Sequence, residues 1–181
     1  MALKATVFKA SLNIADMDRH YYQDHNLTIA RHPSETDRRM MARLAVYSLN
    51  ADEQLAFTKG ISTDDEPDLW IKDYSDQIKH WIELGQPDEK RIRQACAKAE
   101  RVTIYCYSGH GAELWWQQIS DQLQRFEHLR VVNLDADAVE ALAELADRSM
   151  ELSAFIQDGQ LAISDGAANV EIPQSLWKTS N

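Results

Sequence analysis

Cysteine, proline and glycine are scarce in this chain: two, four and six residues among 181. Two cysteines, Cys96 and Cys106, argue against a disulfide framework or a cysteine-built zinc site, and both are expected as free, buried thiols. Four prolines and six glycines rule out a polyproline or collagen-like chain and leave punctuation for turns only. No apolar run approaches the ~18 residues that suggest a membrane span. The opening MALKATVFKASLNIADMD lacks the continuous apolar segment of a secretory signal, so a cytoplasmic location with no membrane partner is expected. Positive charge is also short. Nineteen Lys and Arg face 29 Asp and Glu, a formal net charge of −10. Such a field discourages non-specific nucleic-acid binding over the whole surface, while leaving room for a local basic groove.

What remains is an ordinary globular profile, 44% hydrophobic and 27% charged, long enough for one domain with a sizeable core. KATVFKASLNIAD alternates as a strand through Val7, Ala10, Leu12 and Ile14, with a slip of phase near Lys9 that suggests a bulge. DMDR then reads as a turn into a second strand, YYQDHNLTIARH, so a hairpin over 4–31 is expected. The period changes in HPSETDRRMMARLAVYSLN. Ser34 and Asp37 resemble a capping box, and Met41, Leu44 and Ala45 share one face of a helix over 35–50. A short extended piece, LAFTKGI, and an acidic loop, STDDEP, lead to two strands, DLWIK and QIKHWIEL, joined by the turn DYSD.

Gly85 and Pro87 stop the second of these strands, and a helix follows over 88–99, with Ile92, Ala95, Cys96 and Ala99 on one face. RVTIYCYS has the composition of a buried strand. The alternation continues with a helix on Trp115, Ile119, Leu123 and Phe126, the strand LRVVNLD, and a helix on Val139, Leu142, Ala143 and Ala146. MELSAFIQDGQLAISDG reads as a hairpin turning at Asp158-Gly159. The tail from Pro173 is expected to be loose. The simplest architecture is one α/β (α+β) domain over 1–181, a mixed sheet with flanking helices.

Two acids stand out. Asp68 follows Pro67 at the start of one strand, and Glu83 lies at the end of the next, beside Trp81 and Ile82. A lone acid among apolar neighbours is costly unless partnered, so two carboxylates at the ends of adjacent strands suggest a cation site. Each also has a plainer explanation, Asp68 as a turn starter and Glu83 as a strand-end acid. Glu35, in the first turn of its helix, suits the helix dipole whatever else it does. Arg31, His32, Arg38, Arg39 and Arg43, with Lys90, Arg91 and Arg93, suggest either a phosphate-facing rim or a solvated face tied by pairs such as Glu35–Arg39.

The stretches MALKAT, LTIARHPSET, DDEPDLW, WIELGQPDEKRIRQAC, WWQQ and IQDG make the chain resemble the YaeQ family over essentially its whole length. The resemblance implies a variation on the PD-(D/E)xK nuclease-like fold, the restriction-endonuclease-like superfamily. It implies a nuclease-like core over about 34–107 and a C-terminal extension over 110–181. The superfamily pattern has an acid on the second core strand and acid-x-Lys on the third. Asp68 and Glu83 fall at the two acids, and Glu35 corresponds to an extra acid that many members use. Mg²⁺ or Mn²⁺ on Asp68, Glu83 and Glu35 would then serve phosphodiester hydrolysis of nucleic acid. Gly85 stands where the lysine belongs, and Lys72 and Lys90 are candidate substitutes, with Gln86 a further polar neighbour. The competing expectation is a non-catalytic module that binds nucleic acid or protein. Trp70 and Trp81, which share strand parity with the acids, are expected near the site.

Overall fold

The structure is a computed structural model in which residues 4–59 and 65–180 are described. Part of the acidic loop, Ser62–Asp64, lies outside them. In chain order the elements are β1 (Thr6–Asp16), β2 (Tyr21–Arg31), α1 (Asp37–Leu49), β3 (Leu55–Phe57), β4 (Leu69–Lys72), β5 (Ile78–Leu84), α2 (Glu89–Lys98), β6 (Ala99–Cys106), α3 (His110–Leu123), β7 (Leu129–Leu134), α4 (Ala136–Ala143), β8 (Ser149–Gln157), β9 (Gln160–Ser164), β10 (Asn169–Ile172) and β11 (Gln174–Lys178). The α+β class and the mixed pairing agree with the sequence, but the strands form two sheets rather than one, in the orders β10-β9-β8-β1-β2 and β11-β7-β6-β5-β4-β3. The chain forms two compact units, Met1–Asn50 with Asp137–Pro173, and Ala51–Ala136 with Gln174–Asn181.

The first unit holds the five-stranded sheet. In β1 the buried residues are Phe8, Ala10, Leu12, Ile14 and Asp16. Phe8 takes the inward place that the sequence reading gave to Val7, and the β1–β2 register runs without a break. The slip near Lys9 is therefore no bulge; it came from counting the smaller apolar residue instead of the aromatic one. The β1–β2 turn is fixed by Asp16, whose carboxylate accepts from the Asp18 and Arg19 backbone N–H groups at 3.0 and 3.1 Å. The β8–β9 hairpin turns at Asp158 and Gly159, with φ of 53° and 74°, as a type I′ turn requires. Asp18 holds that turn by accepting both N–H groups at 2.8 Å.

Helix α1 falls in this unit. Its cap is Thr36, which accepts from the Arg39 N–H at 3.1 Å. The expected Ser34–Asp37 box does not form, because Ser34 instead bonds the His32 ring at 2.7 Å. Every residue from Met40 to Ser48 is buried, so the helix is covered all round rather than along a single stripe.

The second unit holds the six-stranded sheet. β5 pairs antiparallel with β4 and parallel with β6, and β6 pairs parallel with β7. Parallel neighbours need a crossover, supplied by α2 and α3. These helices cover one sheet face through Ile92 and Ala95, and through Ala112, Ile119 and Leu123, against Trp81, Val102, Ile104, Leu129 and Val131. The tail after Pro173 is not loose. β11 adds to the edge of the sheet against β7, and the Lys178 amino group donates to the carbonyls of Phe126 at 2.8 Å and Leu129 at 3.1 Å. A strand whose partner lies some forty residues back leaves no local pattern in five polar-leaning residues.

Lys178 is 8% exposed, and its removal leaves buried carbonyls without a donor, at about 1–3 kcal/mol. Lys178→Met is expected to lower the melting temperature by several degrees in a thermal scan; an unchanged value would mean that these hydrogen bonds carry no stability.

Candidate functional site

The hairpin β4–β5 sets the site geometry. Leu69 pairs with Ile82 and Trp70 with Trp81, and the Asp68 N–H donates to the Ile82 carbonyl at 3.1 Å. Asp68 therefore stands where this ladder ends, against the last residues of β5, near enough for its charge to act on Glu83. Both acids are 5% exposed. Asp68 Oδ2 accepts from the Leu84 backbone N–H at 2.8 Å, which ties its carboxylate to the end of β5. The two charges feel each other. Burial raises the Glu83 carboxyl above its ordinary value of 4.5; Arg91 opposes that shift, and the Asp68 charge adds to it.

Arg91 is the residue that sequence reasoning underrated. Asp88 caps α2 by accepting from the Arg91 N–H at 2.8 Å, which fixes the first turn of the helix. From there the guanidinium reaches back to β5, and Nε and Nη2 lie 2.8 and 2.7 Å from Glu83 Oε1. Nη2 also donates to the Glu66 carbonyl at 2.9 Å, so one side chain joins helix, strand and the loop before Asp68. Trp81 lies 2% exposed in the core beneath, its ring centroid 5.9 Å from the Arg91 guanidinium. Its Nε1 makes no well-formed hydrogen bond but lies near enough to Glu83 to favour the ionised carboxylate. The signal for Arg91 was its position in the first turn after a Pro-Asp start, but the chain alone left Lys90 and Arg91 equivalent.

The other candidates have partners of their own or stand exposed. Lys72 pairs with Ile78 across a register shift at the far end of β4. Its amino group bonds Asp76 at 3.2 Å and lies 3.9 Å from the centre of the Trp70 ring. Lys90 is exposed on the first turn of α2. Glu35 belongs to the first unit, where Arg39 and Arg43 donate to its two oxygens at 2.8 and 2.6 Å; the ion-paired reading of that basic cluster is the one realised. Cys96 and Cys106 are free, their thiols pushed up to about 11 and about 12 by burial.

Gly85 has a backbone reason to be glycine. Its φ is +107°, and an added Cβ would meet nothing within 4 Å, so conformation rather than space excludes a side chain there. Its N–H donates to the Tyr105 carbonyl at 2.9 Å and so holds the turn against β6.

Among the described residues, no group of three or more His, Cys, Asp or Glu side chains is placed to hold a metal ion. Asp68 and Glu83 offer hard carboxylate oxygens of the kind Mg²⁺ and Mn²⁺ take, in a pair whose mutual repulsion a cation would relieve. An ion here would complete its shell with water or ligand oxygens.

The family described as YaeQ protein matches residues 1–174. The YaeQ protein of Salmonella typhi is 47% identical over 178 residues, 98% of each chain, and that of Escherichia coli (strain K12) is 46% identical over the same share. Among solved structures, the YaeQ protein from Xanthomonas axonopodis pv. citri superposes with a TM-score of 0.93 at 44% identity, covering 97% of this chain and 99% of that one. The one from Pseudomonas syringae gives 0.93 at 33% identity, covering 97% of each.

Two outcomes test the site. A raised Glu83 pKa contributes stability that is complete below 4.5 and lost as the pH rises through the folded-state value. The stability of Glu83→Gln relative to the parent should therefore grow between pH 4.5 and pH 7, read as the difference in urea midpoints; a flat difference would refute the burial account. Gly85→Lys should cost about 1–2 kcal/mol through the left-handed backbone, and a denaturant midpoint equal to the parent's would show that the turn tolerates a side chain.

Proposed function

The chain belongs to the YaeQ family, and we propose that it holds Mg²⁺ or Mn²⁺ between Asp68 and Glu83 and acts on phosphodiesters of nucleic acid, as a variation on the PD-(D/E)xK nuclease-like pattern. The observation that carries this reading is the pair of buried carboxylates at the adjoining ends of β4 and β5, where the Asp68 charge acts on Glu83. Two acids buried side by side cost stability unless something cationic joins them. A bound divalent ion would supply the charge that polarises a phosphoryl oxygen and lowers the pKa of a water.

The residues divide the remaining work. The Leu84 N–H aims the Asp68 carboxylate, and Arg91 orients Glu83 and opposes the rise that burial gives its carboxyl. Gly85 has no amine to offer, so the local positive charge comes from α2, where Arg91 stands against Glu83 and Lys90 lies one residue earlier. A guanidinium suits a phosphate oxygen as a fork of donors, but with its high pKa it cannot take a proton from water as a lysine can.

That limit favours the second reading, a binding module without catalysis, in which Arg91 already neutralises Glu83. One experiment separates the readings. Mg²⁺ or Mn²⁺ should raise the melting temperature of the parent by mass action on the folded state, and Asp68→Asn/Glu83→Gln should fold, melt at or above the parent without metal, and lose that rise. Labelled single- and double-stranded DNA and RNA then report cleavage. A metal response that survives the double substitution removes the site; a metal response in the parent without cleavage of any substrate leaves the binding module.

A further inference from the structure

The opposite face of the six-stranded sheet carries a second polar cluster that the acid pair does not use. His80 of β5 pairs with Arg101 of β6, and Thr103 of β6 pairs with Arg130 of β7. Paired residues share a face, and so do residues two apart on one strand, so all four side chains stand on the side away from Trp81 and Glu83. His80 and Thr103 are 5% and 3% exposed, and the ring Nε2 lies 2.8 Å from the Thr103 hydroxyl. Arg101 and Arg130 are exposed on either side of this buried pair.

These two arginines differ from the others. In a chain with 29 acids, Arg19, Arg31, Arg38, Arg39, Arg43, Arg91, Arg93 and Arg125 each meet a carboxylate. Arg148 bonds the Val7 carbonyl at 3.2 Å. Among the described arginines, only Arg101 and Arg130 have neither an ion pair nor a hydrogen bond, and they are diagonal neighbours on adjacent parallel strands, roughly 8 Å apart at the backbone. Both lie near enough to His80 for their charges, after burial, to help push its imidazole down to about 3. Two like charges gathered around a neutral ring, with no acid between them, form a local positive field on an acidic protein, and a guanidinium fork matches phosphate geometry.

We propose that Arg101 and Arg130, flanking the His80–Thr103 hydrogen bond, form an oxyanion site that takes a phosphate group. The guanidinium groups supply charge from two sides. The Thr103 hydroxyl and the neutral imidazole set the floor, where a hydroxyl donor can turn toward the ligand. The proposal is independent of the acid pair on the other face and needs no metal.

The test uses the full chain and inorganic phosphate, titrated at constant ionic strength against chloride. NMR signals of the His80 ring and of the arginine Nε–H groups are the readout. The expected result is a saturable shift specific to phosphate. Arg101→Gln/Arg130→Gln should weaken binding at least tenfold and melt like the parent, since both side chains are exposed and unpartnered. Glu83→Gln should bind phosphate as the parent does, which keeps this site distinct from the proposed metal site. A thymidine oligonucleotide without terminal phosphates, added to the phosphate-loaded protein, separates the sources. Displacement with steep salt dependence assigns a nucleic-acid backbone; no displacement assigns a small phosphate-bearing ligand. Absence of a saturable phosphate response in the parent, or its persistence in the double variant, overturns the proposal.

Discussion

Strand β5 has to satisfy two different neighbours, β4 running against it and β6 running with it. The antiparallel side needs only the short turn after Lys72, which leaves Asp68 against the last residues of β5. The parallel side needs a crossover, and α2 provides it. Because α2 starts just beyond the end of β5, its first turn returns to the strand's last residues. The Asp88 cap then sets Arg91 where its guanidinium meets Glu83. The acid pair, its cationic partner and the left-handed Gly85 between them all follow from this one change of strand direction.

The same constraint divides the sheet chemically. The face under α2 and α3 carries the apolar core, with the acids at its edge. The other face carries buried apolar residues as well, Leu69, Ile82, Tyr105 and Val132, and among them His80 and Thr103 with the two unpaired arginines. Alternation of side chains along β5 and β6 places Glu83 on one face and His80, Arg101 and Thr103 on the other. On an acidic chain, a basic patch without acids beside it presents an anion with an attractive local field inside a repulsive overall one.

Burial gives the acid pair its energy. In water two carboxylates at strand spacing repel weakly; out of water each is penalised further, and Glu83 responds by holding its proton more tightly. Arg91 offsets much of that penalty while remaining partly exposed, so the pair is neither an inert internal salt bridge nor an open acidic cleft. A ligand that competes with the guanidinium for Glu83 would find Asp68 already aimed, because the Leu84 N–H fixes that carboxylate independently of Arg91.

Much of this was legible in the chain. Period-two and period-3.6 patterns located most of the strands and helices, Asp158-Gly159 announced its turn, and Asp68 and Glu83 stood out as acids at strand ends beside apolar residues. Those features are local, and local physics decides them: turn conformations, capping and the alternation of side chains. Other features were not local. The partition into two sheets and the membership of α1 depend on which apolar faces meet, and Met40–Ser48 reads as one stripe although every residue is buried. The strand β11 exists because β7 offers it an edge and Lys178 finds carbonyls far back in sequence. The choice of Arg91 over Lys90 or Lys72 turns on which long side chain points back along a helix toward β5, and the position of Arg101 and Arg130 around His80 turns on register. The sequence determined the elements and the identity of the acids; only the tertiary structure decided what stands beside them, because pairing and burial join residues that the chain itself keeps apart.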